Sequence, residues 1–319
     1  CLGFGGPAGQ IALMHRVFVD ERKWIGDARF QHMLAFCMLL PGPEAQQLAT
    51  YIGWRLRGWA GALIAGWMFV LPGAFIVLGL SWFYVNYGEV PLIAAAFDGI
   101  KCAVVALVAE ALVKVGKRAL RTRTALVIAV VTFFALVAGA PFPLVIVVAA
   151  LFGLIAPQLV GAHAGQGAAD EPQPNASGAF AQAVLWFVLW LAPPAAIALT
   201  LGTDHVLFQI ALLFSILACV TFGGAYALLA YLTTEAAARG WLTPAQMIDG
   251  LGLAETTPGP LILVNEFVGF LAGWSSGGIA FALAGAAIAL WCTFAPSFVW
   301  IFAGAPFAEC AGDAQLFEI

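Results

Sequence analysis

Hydrogen-bond donors gather around two pairs of short segments rich in glycine and proline, in an otherwise apolar chain; each pair is called a run below. Proline ends a helix and glycine lets backbone approach a ligand closely. A new helix is therefore expected to begin after Pro43 and another after Pro260. The free N–H groups and the dipole at a helix N-terminus favour a bound anion. Two such N-termini could therefore form an anion site. The runs are Phe4-Gly5-Gly6-Pro7 with Pro41-Gly42-Pro43, and Phe222-Gly223-Gly224 with Pro258-Gly259-Pro260.

The first run offers more neutral donors than the second. On a helix that starts after Pro43, Gln46 and Thr50 share one face, and Gln47 and Tyr51 share another. We therefore expect the first run to do more of the selecting. The alternative is that these side chains only join helices and that the breaks only allow close packing or a kink. The other donors are Gln10 in the first run and Thr256, Thr257 and Asn265 in the second.

A few charged groups lie near the breaks or inside apolar runs. Glu44, Glu255 and Glu266 flank the breaks, and a buried carboxyl group could carry a coupling proton. Glu44 could instead be a first-turn acid that the helix dipole favours. Lys101 lies inside an apolar run, where a charge is costly and a functional role is the default hypothesis; an i,i+3 pair with Asp98 is the alternative. The predicted substrate-binding set is Gly5, Gly6, Pro7, Gln10, Pro41, Gly42, Pro43, Gln46, Gln47, Thr50, Tyr51, Lys101, Gly223, Gly224, Thr256, Pro258, Gly259 and Pro260.

The composition indicates an all-α polytopic membrane protein. The chain is 63% hydrophobic and 9% charged, with a mean hydropathy of +0.97, whereas about a quarter of the residues of a soluble domain are charged. Runs at 60–82, 91–113, 179–201 and 207–232 are each long enough to span a bilayer. Counting shorter and broken helices, we expect about nine to eleven membrane segments. The four histidines are far apart, the six cysteines lack metal-ligand spacing and no Walker-type loop is present, so we expect no enzyme, cofactor, metal, nucleic-acid partner or direct use of ATP.

The two runs divide the chain into homologous halves. Phe4 and Pro41 are 37 positions apart, Phe222 and Pro258 are 36 apart, and a tryptophan lies between each pair. Self-similarity at a fixed spacing indicates duplication. The predicted domains are residues 1–160 and 179–319, joined by a polar linker at 161–178, and we expect the natural protein to continue beyond both ends.

The charge distribution favours an inverted repeat. Twelve of the thirteen Lys and Arg residues lie at or before Arg123 and only Arg239 follows, which makes the first part about +5 and the remainder −9. Positively charged loops stay in the cytoplasm, so the acidic loop at 235–249 is expected on the opposite side from its counterpart at 15–32. A simple count of spans predicts parallel halves instead, and the charge distribution is the stronger signal.

The first-half motifs closely resemble the chromate transporter family. They are Phe4-Gly5-Gly6-Pro7-Ala8-Gly9-Gln10, Arg22-Lys23-Trp24 and the stretch from Leu40-Pro41-Gly42-Pro43-Glu44 to Tyr51-Ile52-Gly53. The resemblance covers about 4–115 and 222–305, and the chain is similar to the long form of the family, in which two homologous domains are fused. It departs at Glu266, where the family is expected to carry glutamine.

The resemblance implies a secondary transporter of the bacterial inner membrane. It would export chromate, confer chromate resistance and meet sulfate as a competitor, with the proton-motive force as the expected drive. The expected partners are the lipid bilayer and a chromate-like or sulfate-like oxyanion, and a homo-oligomer is compatible with the sequence. The alternatives are a transporter of the same fold for another anion or small solute, and a channel or membrane-embedded enzyme.

Overall fold

The computed structural model describes residues 6–120, 122–155, 176–222 and 225–316. These residues form twelve α-helices, one π-helical segment and one 3₁₀ turn, and they contain no β-strand. The all-α prediction is confirmed for this part of the chain. The helices are α1 (Gly6–His15), α2 (Asp27–Leu39), α3 (Glu44–Tyr87), α4 (Pro91–Ala119), α5 (Arg123–Val137), α6 (Phe142–Ile155), α7 (Ala176–Leu201), α8 (Val206–Val220), α9 (Ala225–Ala238), α10 (Pro244–Thr256), α11 (Val264–Gly277) and α12 (Ile279–Leu316). The π-helical segment is Arg16–Glu21 and the 3₁₀ turn is Leu261–Leu263.

The chain divides into two compact units. One comprises residues 1–104 and 171–319, and the other comprises residues 105–170. The second unit contains α5 and α6, which are strongly apolar and carry none of the predicted site residues. All described candidate site residues therefore belong to the first unit.

Helix α3 folds back on itself. Residues 44–87 form a hairpin that turns at Arg57 and Gly58, and the apolar run predicted at 60–82 lies within its second arm. Gly58 has φ +63°, a conformation that glycine adopts without strain. Residues 53 and 61 would be about 12 Å apart along a straight helix. Instead, a Cβ atom built on Gly53 would meet the carbonyl oxygen of Gly61.

Helices α11 and α12 form a second hairpin of the same kind. They meet at Gly278, which has φ +73°, and Gly269 faces Gly285 across the hairpin with backbone contact. Gly273 packs against the backbone of Phe281 nearer the turn, so these arms have about one helical turn more than those of α3 before they reverse. Facing glycines allow the two arms of each hairpin to touch along their backbones.

The run at 207–232 is not a single span. Helix α8 ends at Val220, Thr221 takes an extended conformation, and α9 begins at Ala225. The apolar run at 207–232 is therefore divided between two helices. Gly223 and Gly224 interrupt this apolar run in the sequence, and glycine disfavours the interior of a helix.

Four described helices are long and apolar enough to cross a membrane: Glu44–Tyr87, Pro91–Glu110, Ala181–Leu201 and Ile279–Glu309. Arg123–Val137, Val206–Val220 and Leu261–Gly277 are apolar but shorter. This pattern is that of a polytopic helical membrane protein. The total number of membrane segments stays a prediction.

Candidate functional site

The first break begins a helix where the sequence predicts it. Helix α2 ends at Leu39, α3 starts at Glu44, and Pro43 caps it in an extended conformation. Gly42 has φ +114° and its N–H donates to the carbonyl oxygen of Thr221 at 2.8 Å. The first-turn N–H groups of α3 have no partner within the helix.

Polar side chains surround Gly42. A Cβ atom built there would lie 3.0 Å from Gln47 Nε2 and 3.5 Å from Ser297 Oγ. Gln47 Nε2 donates to the carbonyl oxygen of Pro41 at 2.7 Å, while its Oε1 has no partner among the described residues. The break is thus lined by neutral hydrogen-bonding groups from both halves of the chain.

Gln46 is the most exceptional side chain at the first break. It is fully buried, and neither polar atom of its amide has a partner within the described structure. An unsatisfied buried polar group costs about 1–3 kcal/mol. Its neighbours are satisfied differently: Thr50 Oγ1 donates to the Gln46 carbonyl oxygen at 2.8 Å, and Tyr51 Oη donates to the Ala305 carbonyl oxygen at 3.5 Å. Gln46 therefore differs from these neighbours, because both atoms of its buried amide lack a described partner.

The second break has a similar backbone and a different lining. Gly259 has φ +153°, and its carbonyl oxygen accepts from Gln10 Nε2 at 2.5 Å. The helix that follows Pro260 begins with the apolar 3₁₀ turn Leu261–Leu263. Thr256 Oγ1 donates to the Gly252 carbonyl oxygen at 2.8 Å, so this hydroxyl is bonded within its own helix. Asn265 and Thr293 bond to each other at 3.1 Å.

The contacts at the two breaks are reciprocal. Gly73, in the second arm of the α3 hairpin, packs on Gly259. A Cβ atom built on Gly73 would lie 2.7 Å from the Pro258 carbonyl oxygen. Ser297, in the second arm of the α11–α12 hairpin, packs on Gly42. The structure thus brings each Pro-Gly-Pro break against the opposite half of the chain, beside Thr221 in one case and Gln10 in the other.

The three predicted proton carriers lie in different settings. Glu44 is the first residue of α3, a position in which the helix dipole favours an acid. Glu255 lies half-buried in the last turn of α10. Glu266 is 5% exposed at the start of α11, and its Oε2 has no partner among the described residues. Glu266 is thus a buried carboxyl group with one oxygen that lacks a described hydrogen-bond partner.

Lys101 contacts two carboxylates. Its Nζ lies 3.1 Å from Asp98 Oδ1, as the alternative interpretation proposed, and 3.3 Å from Asp249 Oδ1 on α10. Asp249 is buried and also accepts a hydrogen bond from Tyr84 Oη at 2.9 Å. This cluster joins α3, α4 and α10. A role for Lys101 in substrate binding stays a prediction.

A second polar cluster lies near the end of α12. Glu309 Oε2 accepts from Arg55 Nη1 and lies 3.4 Å from Arg29 Nη1. Like the Asp249 cluster, it joins the helix that precedes one break to the end of the other half's hairpin. These two clusters tie the halves together away from the breaks.

Three predicted site residues lie outside the described residues: Gly5, Gly223 and Gly224. Gly6 and Pro7 are the first residues of α1, where proline is well tolerated.

One paired feature of the site was not predicted from the sequence. Pro72 precedes Gly73, and Pro296 precedes Ser297, inside the second arm of each hairpin. A proline within a helix loosens its hydrogen bonding, which membrane proteins tolerate where neighbouring groups compensate. The sequence does contain a signal for this pair, because each half has a proline inside the apolar run that follows its Pro-Gly-Pro break. Pro72 lies 31 positions after Pro41, and Pro296 lies 38 after Pro258.

Long apolar helices, paired helix breaks and buried unpartnered amides together define a helical membrane transporter. A family model for the chromate transporter matches residues 1–154 and 208–318. A chromate transport protein of Pseudomonas aeruginosa is 37% identical over 284 residues, which cover 88% of this chain and 65% of that protein. A chromate transport protein of Cupriavidus metallidurans is 30% identical over 317 residues, covering 98% of this chain and 72% of that protein.

The chain belongs to the chromate transporter family and is not an enzyme. A more distant relative, an uncharacterized transporter of Methanocaldococcus jannaschii, is 26% identical over 319 residues, covering 99% of this chain and 76% of that protein. No solved structure matches the chain.

Proposed function

We propose that the protein is a secondary active transporter that exports chromate across the bacterial inner membrane, with sulfate as a competitor. The observation that carries this proposal is the buried amide of Gln46, which is unpartnered at the helix N-terminus that follows the first break. A tetrahedral oxyanion can accept from such an amide and from first-turn N–H groups. The names of the Pseudomonas and Cupriavidus relatives supply chromate as the oxyanion.

The reciprocal contacts support a site shared by two inverted halves. Gly42 bonds to Thr221 and Gly259 bonds to Gln10, so a movement of one half against the other changes both breaks together. Alternating access in secondary transporters commonly arises from such relative movement of repeats around a central site. A proton that moves on Glu44, Glu255 or Glu266 would couple this movement to the proton-motive force.

Transport by inside-out membrane vesicles tests the function. The vesicles contain the full-length protein and are energised, and labelled chromate is added outside. We expect uptake that an uncoupler abolishes and excess sulfate reduces, and that vesicles with Gln46→Leu lack. Uptake of labelled sulfate without chromate would replace the substrate, and uptake of chromate that persists without any driving gradient would indicate a channel.

A further inference from the structure

Ser297 differs from most hydroxyl residues of the described helices. In a helix, a serine or threonine hydroxyl usually bonds to the carbonyl oxygen four residues earlier. Ser81, Thr50, Thr221 and Thr200 all do so, at 2.5 to 2.8 Å. Ser297 is 1% exposed, and its Oγ has no hydrogen-bond partner among the described residues. The hydroxyl is therefore buried and available.

The hydroxyl of Ser297 lies at the first break. A Cβ atom built on Gly42 would be 3.5 Å from Ser297 Oγ and 3.0 Å from Gln47 Nε2, so both polar groups pack closely against the backbone of Gly42. The first turn of α3 begins two residues after Gly42. The N–H groups of Ala45 and Gln46 in that turn have no acceptor within the helix and provide further donors at the same place.

The equivalent position of the other half is Gly73, which also follows a helix proline and also packs on the opposite break. Glycine has no side-chain donor there. A Cβ atom built on Gly73 would lie 2.7 Å from both Leu263 Cδ1 and the Pro258 carbonyl oxygen, so that side is filled. Of this pair of positions, Ser297 presents a hydroxyl group to the opposite break, whereas Gly73 presents no side-chain donor.

We infer that Ser297 is a substrate-contacting residue whose hydroxyl donates to a tetrahedral oxyanion held at the first break beside Gly42. This inference rests on the proposed function and adds a specificity-determining residue from the second half. An oxygen of the dianion accepts from Ser297 Oγ, while the amides of Gln46 and Gln47 and the first-turn N–H groups bind the other oxygens. The ligand thereby bridges the two halves.

Equilibrium binding of labelled chromate to the purified full-length protein tests the inference, with Ser297→Ala as the variant. A hydrogen bond to a charged acceptor supports an expected affinity loss of about tenfold or more. Ser81→Ala is the matched control because that hydroxyl is also buried but donates to the Val77 carbonyl oxygen at 2.7 Å. We expect Ser81→Ala to bind as the wild type does. Equal affinities for the two variants would overturn the inference.

Further arms separate the inference from the proposed function. Ser297→Thr keeps the hydroxyl and is expected to bind within about threefold of the wild type, because one added methyl mainly perturbs packing. If Ser297→Ala does not reach the membrane, Ser297→Gly takes its place, since it installs the residue of the equivalent position in the other half; wild-type affinity in that variant would overturn the inference. A wild-type protein that binds neither chromate nor sulfate would refute the proposed function and the inference together.

Discussion

At Gly42 the backbone of the break meets Gln47 and Ser297, whereas at Gly259 the same kind of backbone meets Leu263 and Gly73. Both glycines have a positive φ and both breaks contact the opposite half. The nearest side chains differ: an amide and a hydroxyl pack on Gly42, whereas the aliphatic Leu263 packs on Gly259 and the Gln10 amide reaches only its carbonyl oxygen. A duplicated helix break thus presents similar backbone twice, and the side chains around it make the two copies chemically different.

The largest effect is expected from a bulky residue at Gly42. Gly42→Val forces a β-branched residue into φ +114° and fills the space beside Gln47 and Ser297. We expect chromate uptake per molecule of membrane-inserted protein to fall by about a hundredfold or more, since both the backbone and the binding space are lost. Vesicle uptake normalised to membrane protein measures this.

Gly259→Val is the matched control for the two breaks. Its built Cβ meets Leu263 Cδ1 at 2.9 Å, the end of a flexible side chain. We expect reduced stability and a smaller loss of transport than in Gly42→Val. Equal losses of transport would mean that both breaks select the substrate, and normal export by Gly42→Val would remove the first break from the site.

Sequence alone predicts the breaks because proline and glycine act on their own backbone. The start of α3 at Glu44 follows directly from Pro41-Gly42-Pro43. The reversal at Gly58 could not be predicted in the same way, because a single glycine in an apolar run does not specify a direction. Ser297 beside Gly42 and Asp249 beside Lys101 are contacts between distant segments, which only the packing of the hairpins brings about.

Gln46→Leu should separate function from stability. The third residue after the break is Gln46 in the first half and Leu263 in the second, so this change gives the first break the lining of the second. We expect chromate affinity to fall by about tenfold or more, while the free energy of unfolding rises by about 1–3 kcal/mol because an unsatisfied buried amide is removed. Chromate binding and thermal melting in detergent measure the two effects.

Gln47→Leu provides the comparison for that experiment. Gln47 Nε2 already donates to the Pro41 carbonyl oxygen, so its loss should lower stability rather than raise it. A Gln46→Leu protein that binds chromate normally would show that the buried amide has a structural partner instead of a ligand.

Glu266→Gln tests whether the second half supplies the coupling. Thr50 lies three positions before Gly53 in the first half, and Glu266 lies three positions before Gly269 in the second. The Oε2 atom of Glu266 is buried without a described partner. Glutamine keeps the shape and cannot carry a proton. If Glu266 carries the coupling proton, uptake driven by a pH gradient should fall by about tenfold or more, while exchange of chromate across the membrane without a gradient persists. Uptake that remains fully driven by the gradient would exclude Glu266 as the carrier.

The smallest effect is expected at the starts of α2 and α10, the helices that precede the two breaks. Helix α10 has a capping box in which Thr243 and Gln246 bond to each other's backbone, whereas α2 has no side-chain cap. Near the start of α2, His15 Nε2 lies 2.6 Å from Asp27 Oδ1, outside the candidate spans. The hydrogen bond to Asp27 raises the pKa of His15, and the same bond lowers the pKa of Asp27.

A raised histidine pKa stabilises the fold fully below the unfolded value of about 6.5, and the stabilisation is lost as the pH rises through the folded pKa. The lowered pKa of Asp27 acts near the acid end, where its contribution disappears as the pH falls through the folded value. We therefore expect the melting temperature to decrease slightly between about pH 6 and pH 8, with a slope that Asp27→Asn reduces because it removes the largest cause of the raised pKa of His15. Thr243→Ala, which removes the cap of α10, should lower the melting temperature equally at both pH values, because no titrating group is lost. An unchanged slope in Asp27→Asn would mean that the pH dependence of stability arises elsewhere than at the start of α2.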